Sequence, residues 1–175
     1  LIYTGILTDT GSFRFANTNQ ATFAICLEMV AKGVRPHEVA RHVYGTYSLG
    51  RIKLLNLALD SIEIVGNGKL SIMTVTREML RQTGTQPEDA DGLINYARRV
   101  EDVRVAALIQ ELQNGSDATQ NRHRYHVSLR SDGSVDVAAV AVFYGGGGHQ
   151  SAAGFRIEAP LYEVKTQIAQ LAEKL

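Results

Sequence analysis

The amino-acid sequence predicts an α/β protein in which a largely helical first part precedes a second part that combines strands and helices. Between residues 18 and 62, apolar side chains recur at spacings of three and four, as on one face of a helix. Asn67-Gly68 separates two short β-favouring segments, which is a strong signal for a hairpin. Residues 122–130 alternate in polarity around Tyr125, Val127 and Leu129, as a strand with one buried face does.

The first third of the chain predicts one strand followed by three helices. Residues 1–7 are mostly apolar or β-favouring and lead into the cluster Thr8-Asp9-Thr10-Gly11, so we expect a strand that ends in a turn. A helix is expected over 18–32 with Gly33 as its stop, and Pro36 suits the first turn of a second helix towards Tyr44. Ser48 is placed to cap a third helix. The apolar faces of the first and third helices are expected to hold Phe23, Leu27, Val30 and Ala31, and Ile52, Leu55, Leu59 and Ile62.

The rest of the chain is expected to alternate strands with short helices. The segment 103–112 fits a helix as well as a strand, and we take it as a strand. The helix over 89–100 is expected to turn Leu93, Ile94 and Ala97 inward. The other expected elements are strands over 62–65 and 70–75, a helix over 77–82 between Thr76 and Gly84, a loop over 114–117, a strand over 122–130, a turn at Asp132-Gly133 and an amphipathic helix over 161–175.

The composition is that of an ordinary globular protein. Hydrophobic residues make up 45% of the 175 residues and charged residues 21%, and no apolar run approaches the ~20 residues that cross a bilayer. The single cysteine, Cys26, excludes an internal disulfide and a thiolate zinc cluster, which fits a cytoplasmic protein. The 18 basic side chains balance the 18 acidic ones, whereas proteins that coat long nucleic acids carry a surplus of Lys and Arg. We therefore expect an anionic ligand to be short and to be held by a local cluster of cations.

The run Gly145-Gly146-Gly147-Gly148-His149 is the most informative stretch for function. Four successive residues without a Cβ allow the backbone N–H groups to turn towards one anion, as in the concave nests that hold phosphate. His149 adds a side-chain donor whose charge changes near neutral pH. We expect a ligand loop here, and the alternative is a hinge or a turn that needs positive φ.

Polar residues share one face of the strand expected over 122–130. The even positions on that face are Arg122, Arg124, His126, Ser128 and Arg130. A solvated face explains Arg122 and Arg124, but Arg130 lies at the strand end, where binding residues commonly lie. Its guanidinium can grip two oxygens of one phosphate, and the hydroxyl of the adjacent Ser131 can donate to a third.

Asp9 is the candidate metal ligand. A carboxylate that a tight turn exposes at a strand end is placed to bind a hard cation. An Asp in a turn more often caps the turn itself, and Arg14 offers Asp9 an ordinary ion-pair partner.

Together these segments resemble the DHH phosphoesterases, named for their Asp-His-His motif, and the DHH-associated C-terminal domain that follows it. The resemblance rests on residues 5–14 (GILTDTGSFR), residues 127–137 (VSLRSDGSVDV), and Gly145 to His149 with Ala152-Ala153-Gly154. Residues 74–80 and 92–98 resemble the connecting part of the branch that degrades very short RNA. The match follows the family's order over nearly the whole chain.

The resemblance implies an α/β fold in three parts: the C-terminal remnant of a DHH domain over 1–34, a helical linker over 35–60, and a mixed-sheet DHH-associated domain over 61–175. It also implies a short helix before the glycines, over 135–144, for which Asp136 is a suitable cap. It implies an enzyme that binds two manganese ions, which activate water and stabilise charge on phosphorus. Asp9 matches a metal ligand, and substrate phosphate is implied to lie at Arg130, Ser131, Gly145 to Gly148 and His149.

The sequence departs from this family because Asp-His-His and the other upstream ligands are absent. We therefore expect the chain to be part of a longer enzyme and to bind substrate without hydrolysing it. The expected partners are short RNA oligonucleotides or nucleotides and not a membrane, and the sequence leaves open whether two chains form a homodimer. The alternatives are a cyclic-dinucleotide phosphodiesterase, a RecJ-like single-strand exonuclease, or an RNA-binding module like those of alanyl-tRNA synthetases.

Overall fold

A computed structural model of the protein describes residues 1–112 and 123–171. These residues form two compact units that meet in the chain between Tyr47 and Ser48. The expected loop over 114–117, Arg122 and the last four residues of the expected terminal helix lie outside the described residues. No described helix combines the length and the apolar character needed to cross a membrane.

The first unit contains helix α1 (Ile2–Asp9), helix α2 (Gln20–Ala31) and helix α3 (Pro36–Tyr44). The strand expected over 1–7 is therefore wrong. Tyr3 and Leu7 are both buried, and their spacing of four residues lies on one face of a helix. A short apolar run of this kind cannot be assigned to a strand or a buried helix from periodicity alone, and here its core partner is Cys26 of α2.

Helix α2 has the expected position but not the expected buried face. Asn19 caps it, because its side chain accepts a hydrogen bond from the backbone N–H of Thr22 at 3.1 Å. Phe23, Leu27 and Val30 are 54%, 71% and 44% exposed. The predicted apolar stripe thus exists, but it does not face the core of this unit.

The second unit begins with helix α4 (Leu49–Asp60). Ser48 caps this helix as predicted, since its hydroxyl accepts from the backbone N–H of Arg51 at 3.1 Å. The buried face holds Leu54 and Ala58, whereas Ile52 and Leu59 are exposed. The predicted face is therefore rotated by about 100° from the centre of the one that packs, and only Leu55 and Ile62 of that face contact the core.

The described strands form a six-stranded mixed sheet, which confirms the α/β class. The strands are β1 (Glu63–Val65), β2 (Leu70–Val75), β3 (Val105–Glu111), β4 (His123–Ser131), β5 (Gly147–His149) and β6 (Ala152–Ala159). Their order in the sheet is β1-β2-β3-β4-β6-β5, and all neighbouring pairs are antiparallel except β2 and β3. The predicted hairpin is present, with Asn67 and Gly68 both at positive φ between β1 and β2. The strand predicted over 103–112 is confirmed as β3, which is shorter at both ends.

Three short helical segments connect β2 to β3. Helix α5 (Arg77–Thr83) is confirmed between the Thr76 cap and Gly84, whose φ of 63° ends it in the left-handed conformation. The helix expected over 89–100 is wrong in its extent, because a 3-10 helix (Pro87–Ala90) and helix α6 (Ile94–Ala97) replace it. Gly92 lies between them at a φ of 84° and interrupts the helical hydrogen bonds. Leu93, Ile94 and Ala97 are nevertheless buried as expected.

The sheet has two faces with different coverings. Helix α7 (Val137–Phe143), which Asp136 caps as predicted, and helix α8 (Leu161–Leu171) pack on one face. Helices α4, α5 and α6 pack on the other face, over Met73 and Val75 of β2 and Ala106 and Leu108 of β3. On that second face the residues of β4, β6 and β5 are exposed or half-buried. This half of the sheet, which is exposed or half-buried among the described residues, carries the candidate site.

Tyr125, on the buried face of β4, is expected to make the stability of the protein decrease at alkaline pH. Burial raises the pKa of Tyr125 to about 12, and the neighbouring Glu111 carboxylate contributes to this shift. Because the ordinary pKa of tyrosine is about 10, the folded protein prefers the neutral phenol. The stabilisation is complete below pH 10 and is lost as the pH rises towards 12. Between pH 9 and pH 12, the wild-type protein is expected to lose on the order of 1–2 kcal/mol of unfolding free energy through this group. Tyr125→Phe is expected not to show this loss. Urea unfolding of both proteins at the two pH values measures the difference. Equal pH dependence in both proteins would contradict the assignment.

Candidate functional site

Strand register brings the candidate binding residues onto one face of the sheet. Directly paired residues in antiparallel strands point to the same side. Arg130 of β4 pairs with Ala152 of β6, which pairs in turn with His149 of β5. The spacing of neighbouring strands places the Cα atoms of Arg130 and His149 roughly 10 Å apart. The two residues that the sequence predicted to hold one phosphate therefore share a surface.

We call this surface the cationic face. It comprises Arg124, His126, Ser128 and Arg130 of β4, Ala152, Gly154, Arg156 and Glu158 of β6, and Gly147 and His149 of β5. Arg124 and Glu158 lie opposite each other, 4.0 Å apart between Nε and Oε2. Within the described residues, neither Arg130 nor Arg156 has a carboxylate partner. The face therefore presents positive charge that is available to an anion.

Arg130 is half-buried and poorly solvated. Its Nη1 donates to the backbone carbonyl of Leu129 at 2.9 Å, which leaves the remaining guanidinium donors for a ligand. Burial lowers the pKa of Arg130, and the nearby positive charge of Arg98 lowers it further. A guanidinium that has lost part of its hydration and faces another cation is stabilised by a bound phosphate.

His126 lies on the same face, and its surroundings favour the neutral imidazole over the charged form. Burial lowers its pKa, and the charges of Arg156 and Arg130 add to this effect, while Asp91 opposes it. Its ring leans over β6, because a Cβ built on Gly154 would lie 3.1 Å from His126 Nε2. A neutral ring adds no further positive charge beside Arg156 and Arg130.

The glycine run is folded more tightly than the expected anion nest. Gly145 and Gly146 donate their N–H groups to the carbonyls of Val142 and Ala141 at 2.9 and 2.8 Å, and so satisfy the C-terminus of α7. Gly147 and Gly148 belong to β5, which pairs with β6. The prediction that all four N–H groups turn towards one anion is therefore wrong, because the helix end uses two of these donors and the other two glycines lie in a strand.

The glycines are required instead by the close approach of two backbones. A Cβ on Gly146 would lie 2.2 Å from the Gly154 carbonyl oxygen, and one on Gly148 would lie 2.5 Å from the Ala152 carbonyl oxygen. Gly147 differs, since a Cβ there meets nothing within 4 Å. It points to the cationic face in the row of Gly154 and Ser128. Because Gly147 has no side chain, a ligand can approach the backbone of this row closely.

Ser131 lies on the opposite face of the sheet from Arg130, because neighbouring residues of a strand point to opposite sides. It is buried, its hydroxyl donates to the Val135 carbonyl at 2.7 Å, and it accepts from the Gly133 N–H at 2.9 Å. This geometry stabilises the turn after β4 and commits the single hydroxyl proton. Ser128 is the hydroxyl on the cationic face, and the alternation of the strand is the signal that could have identified it.

Asp9 lies in the first unit, at the last position of α1 and not after a strand. It is exposed, and its backbone carbonyl accepts from Asn17 Nδ2 at 3.1 Å. The nearby Arg14 donates from Nε to the Gly11 carbonyl at 2.6 Å. No group of three His, Cys, Asp or Glu side chains within the described residues could hold a metal ion. These residues do not fit a complete manganese site, and Asp9 can supply only one ligand to such a site.

More than half of the chain matches one protein-family model. Residues 67–175 match the model of the DHHA1 domain. This chain belongs to the DHHA1 family. The matched region contains every residue of the cationic face and the whole of the glycine run. The DHHA1 match and the relatives below bear out the resemblance to the C-terminal part of DHH phosphoesterases.

Relatives of this DHHA1 protein match it over most of its length. The bifunctional oligoribonuclease and PAP phosphatase NrnA of Thermus thermophilus is 31% identical over 87% of this chain and 43% of its own length. The Bacillus subtilis protein of the same name is 28% identical over 90% of this chain and 46% of its own length. A crystal structure of an exopolyphosphatase-related protein from Bacteroides fragilis covers 99% of this chain and 48% of its own, with a TM-score of 0.88 and 27% identity. The chain thus spans about half the length of the curated relatives it matches.

Proposed function

We propose that this chain is the substrate-binding part of a phosphoesterase that hydrolyses short oligoribonucleotides, with nucleoside bisphosphates as a second substrate class. The observation that carries the proposal is the common face of Arg130, Gly147 and His149, with no carboxylate paired to Arg130 in the described part of the chain. The names of the relatives, oligoribonuclease and PAP phosphatase, support the choice of substrates. Both substrates are short and end in phosphate.

Each residue of the face has a chemical role in this proposal. Arg130 grips two oxygens of a terminal phosphate through its free guanidinium donors. His149 approaches the same phosphate from β5 and donates from its ring. Gly147 lets the phosphate or ribose approach the strand closely. The balanced overall charge of the chain favours a short ligand, because a long polyanion requires many phosphate contacts.

Hydrolysis in this proposal takes place in the longer protein, whose metal centre has manganese ions and includes Asp9 as one ligand. The described residues of this chain provide no second and third ligand beside Asp9. The positions that Asp9 leaves free on a metal ion would be taken by water. The chain alone is therefore proposed to bind substrate and to be inactive.

We expect the 175-residue chain to bind a 5′-phosphorylated diadenylate but to release no mononucleotide in the presence of Mn²⁺. Binding is measured by calorimetry and hydrolysis by chromatography of the products. The full-length protein is the positive control, and circular dichroism verifies that the isolated chain is folded. Metal-dependent turnover by the folded chain would contradict the proposal that hydrolysis requires metal ligands outside this chain.

A substrate panel on the full-length protein separates the related activities. It contains a phosphorylated dinucleotide, a twelve-residue RNA, a single-stranded DNA, adenosine 3′,5′-bisphosphate and a cyclic dinucleotide. The proposal expects the dinucleotide to be hydrolysed fastest and the bisphosphate to be dephosphorylated. Preference for the cyclic dinucleotide, or for long DNA with steeply salt-dependent binding, would replace it with the corresponding activity. Binding of RNA without any hydrolysis would assign an RNA-binding module.

A further inference from the structure

Arg156 is a further arginine on the cationic face, and the phosphate-binding role proposed above does not use it. It is exposed on β6 and lies directly opposite His126 of β4. The next pair outward, Arg124 and Glu158, balances its own charge. Arg156 makes no ion pair with any described residue. Its charge is therefore available to a ligand on this face.

The position of Arg156 relative to Arg130 indicates a second phosphate. His126, which marks the row of Arg156, precedes Arg130 by four residues, so the two rows lie roughly 14 Å apart along β4. The row between them consists of Ser128, Gly154 and Gly147, which are small. Successive phosphates of an RNA chain lie closer together than these two rows, and the long side chains of Arg130 and Arg156 can reach inwards over the small residues between them. The small residues leave room for the sugar that joins the two phosphates.

His126 lies near the charges of Arg130 and Arg156, which favour its neutral form. The ring lies beside Gly154 and near both arginines. As a neutral group it can hydrogen-bond to a phosphate or a ribose hydroxyl without adding a repulsive charge to the free protein. The described face has a carboxylate only at Glu158, which is already paired with Arg124.

We propose that Arg156, with His126, forms a second phosphate subsite that contacts the internucleotide phosphate of a short RNA whose terminal phosphate is held at Arg130. This inference rests on the proposed function, because it assumes that Arg130 holds the first phosphate. It makes Arg156 a residue that distinguishes a dinucleotide from a mononucleotide. The charge of Arg156 then stabilises the longer ligand only.

The test compares adenosine 5′-monophosphate with 5′-phosphorylated diadenylate on the full-length protein. We expect Arg156→Gln to weaken binding of the dinucleotide roughly tenfold and to leave binding of the monophosphate unchanged. In this variant, the slope of the logarithm of dinucleotide affinity against the logarithm of salt concentration is expected to decrease by about one, as for the loss of one phosphate contact. The double variant Arg124→Gln/Glu158→Gln is the matched control, because it removes an arginine from the same face without leaving the Glu158 carboxylate unpaired, and it is expected to change neither affinity.

The possible outcomes separate this inference from the proposed function. If Arg156→Gln weakens both ligands equally, Arg156 acts on the first phosphate and the second subsite is wrong. If it changes neither ligand, or if the Arg124→Gln/Glu158→Gln variant has the same effect, a specific subsite is also excluded. Arg130→Gln tests the proposed function itself, since it is expected to weaken both ligands. If Arg130→Gln binds both ligands as well as wild type does, the proposed function is wrong. If Arg130→Gln weakens both ligands while Arg156→Gln binds them normally, only the second subsite is wrong.

Discussion

Replacing Arg130 with alanine is expected to lower the affinity for 5′-phosphorylated diadenylate by roughly 10- to 100-fold. The reason is the loss of charge-assisted hydrogen bonds from a half-buried guanidinium, where weaker solvation makes each bond stronger. Folding is expected to change little, because the described structure gives Arg130 no ion pair and only a local bond to the Leu129 carbonyl. Calorimetric titration measures the affinity, and thermal unfolding of the same samples measures stability.

Two further variants define what Arg130 contributes. Arg130→Lys keeps the charge but removes the two-pronged grip, so its affinity is expected to lie between wild type and Arg130→Ala. Arg124→Ala combined with Glu158→Ala removes the ion pair from the same strand face without leaving an unpaired carboxylate, and is expected to bind normally. A large drop in melting temperature with unchanged affinity would instead make Arg130 a structural residue.

Placing valine at Gly146 is expected to destabilise the second unit by several kcal/mol. Its Cβ would lie 2.2 Å from the Gly154 carbonyl oxygen and 2.6 Å from Phe155 Cβ. Neither atom can move freely, because Gly154 belongs to β6 and Phe155 is a core residue that stacks on Tyr144 at 4.3 Å. The midpoint of urea unfolding measures the effect.

Gly147→Val is the matched comparison within the same run. A Cβ at this position meets nothing within 4 Å, so the variant is expected to be nearly as stable as wild type. Because Gly147 points to the cationic face, the added side chain is expected to obstruct the ligand and to weaken dinucleotide binding. Equal stability of the two variants would contradict the close approach of Gly146 to β6. Unaltered affinity of Gly147→Val would place the ligand away from this row.

Local signals in the sequence predicted the element boundaries well. Ser48, Thr76 and Asp136 cap helices where they were expected to, and Asn67-Gly68 forms the expected hairpin. Each of these features depends on hydrogen bonds between residues at most a few positions apart. The same holds for the alternation of β4, which separated Arg130 from the buried Leu129 before any neighbouring strand was known.

Predictions that needed distant partners were less successful. Residues 1–7 form a helix because Tyr3 and Leu7 pack against Cys26 of α2, a contact that the apolar run itself does not specify. Ser131 was paired with Arg130 because the two are adjacent in sequence, yet its hydroxyl is used by the turn at Val135 on the other face. The glycine run was read as a loop, although β6 recruits Gly147 to His149 as an edge strand.

The sequence by itself determined the helix caps named above, the hairpin turn, the polarity of the two faces of β4 and the family, since all of these depend on residue types at short spacing. Only the tertiary structure decided that His149, Gly147 and Arg156 join Arg130 on one surface. The physical reason is strand register: β4, β5 and β6 are separated along the chain, and their alignment follows from packing the apolar sides of β4 and β6 against α7 and α8. A shift of one residue between β4 and β6 would have turned Arg156 towards the core and left Arg130 without its partners on the surface.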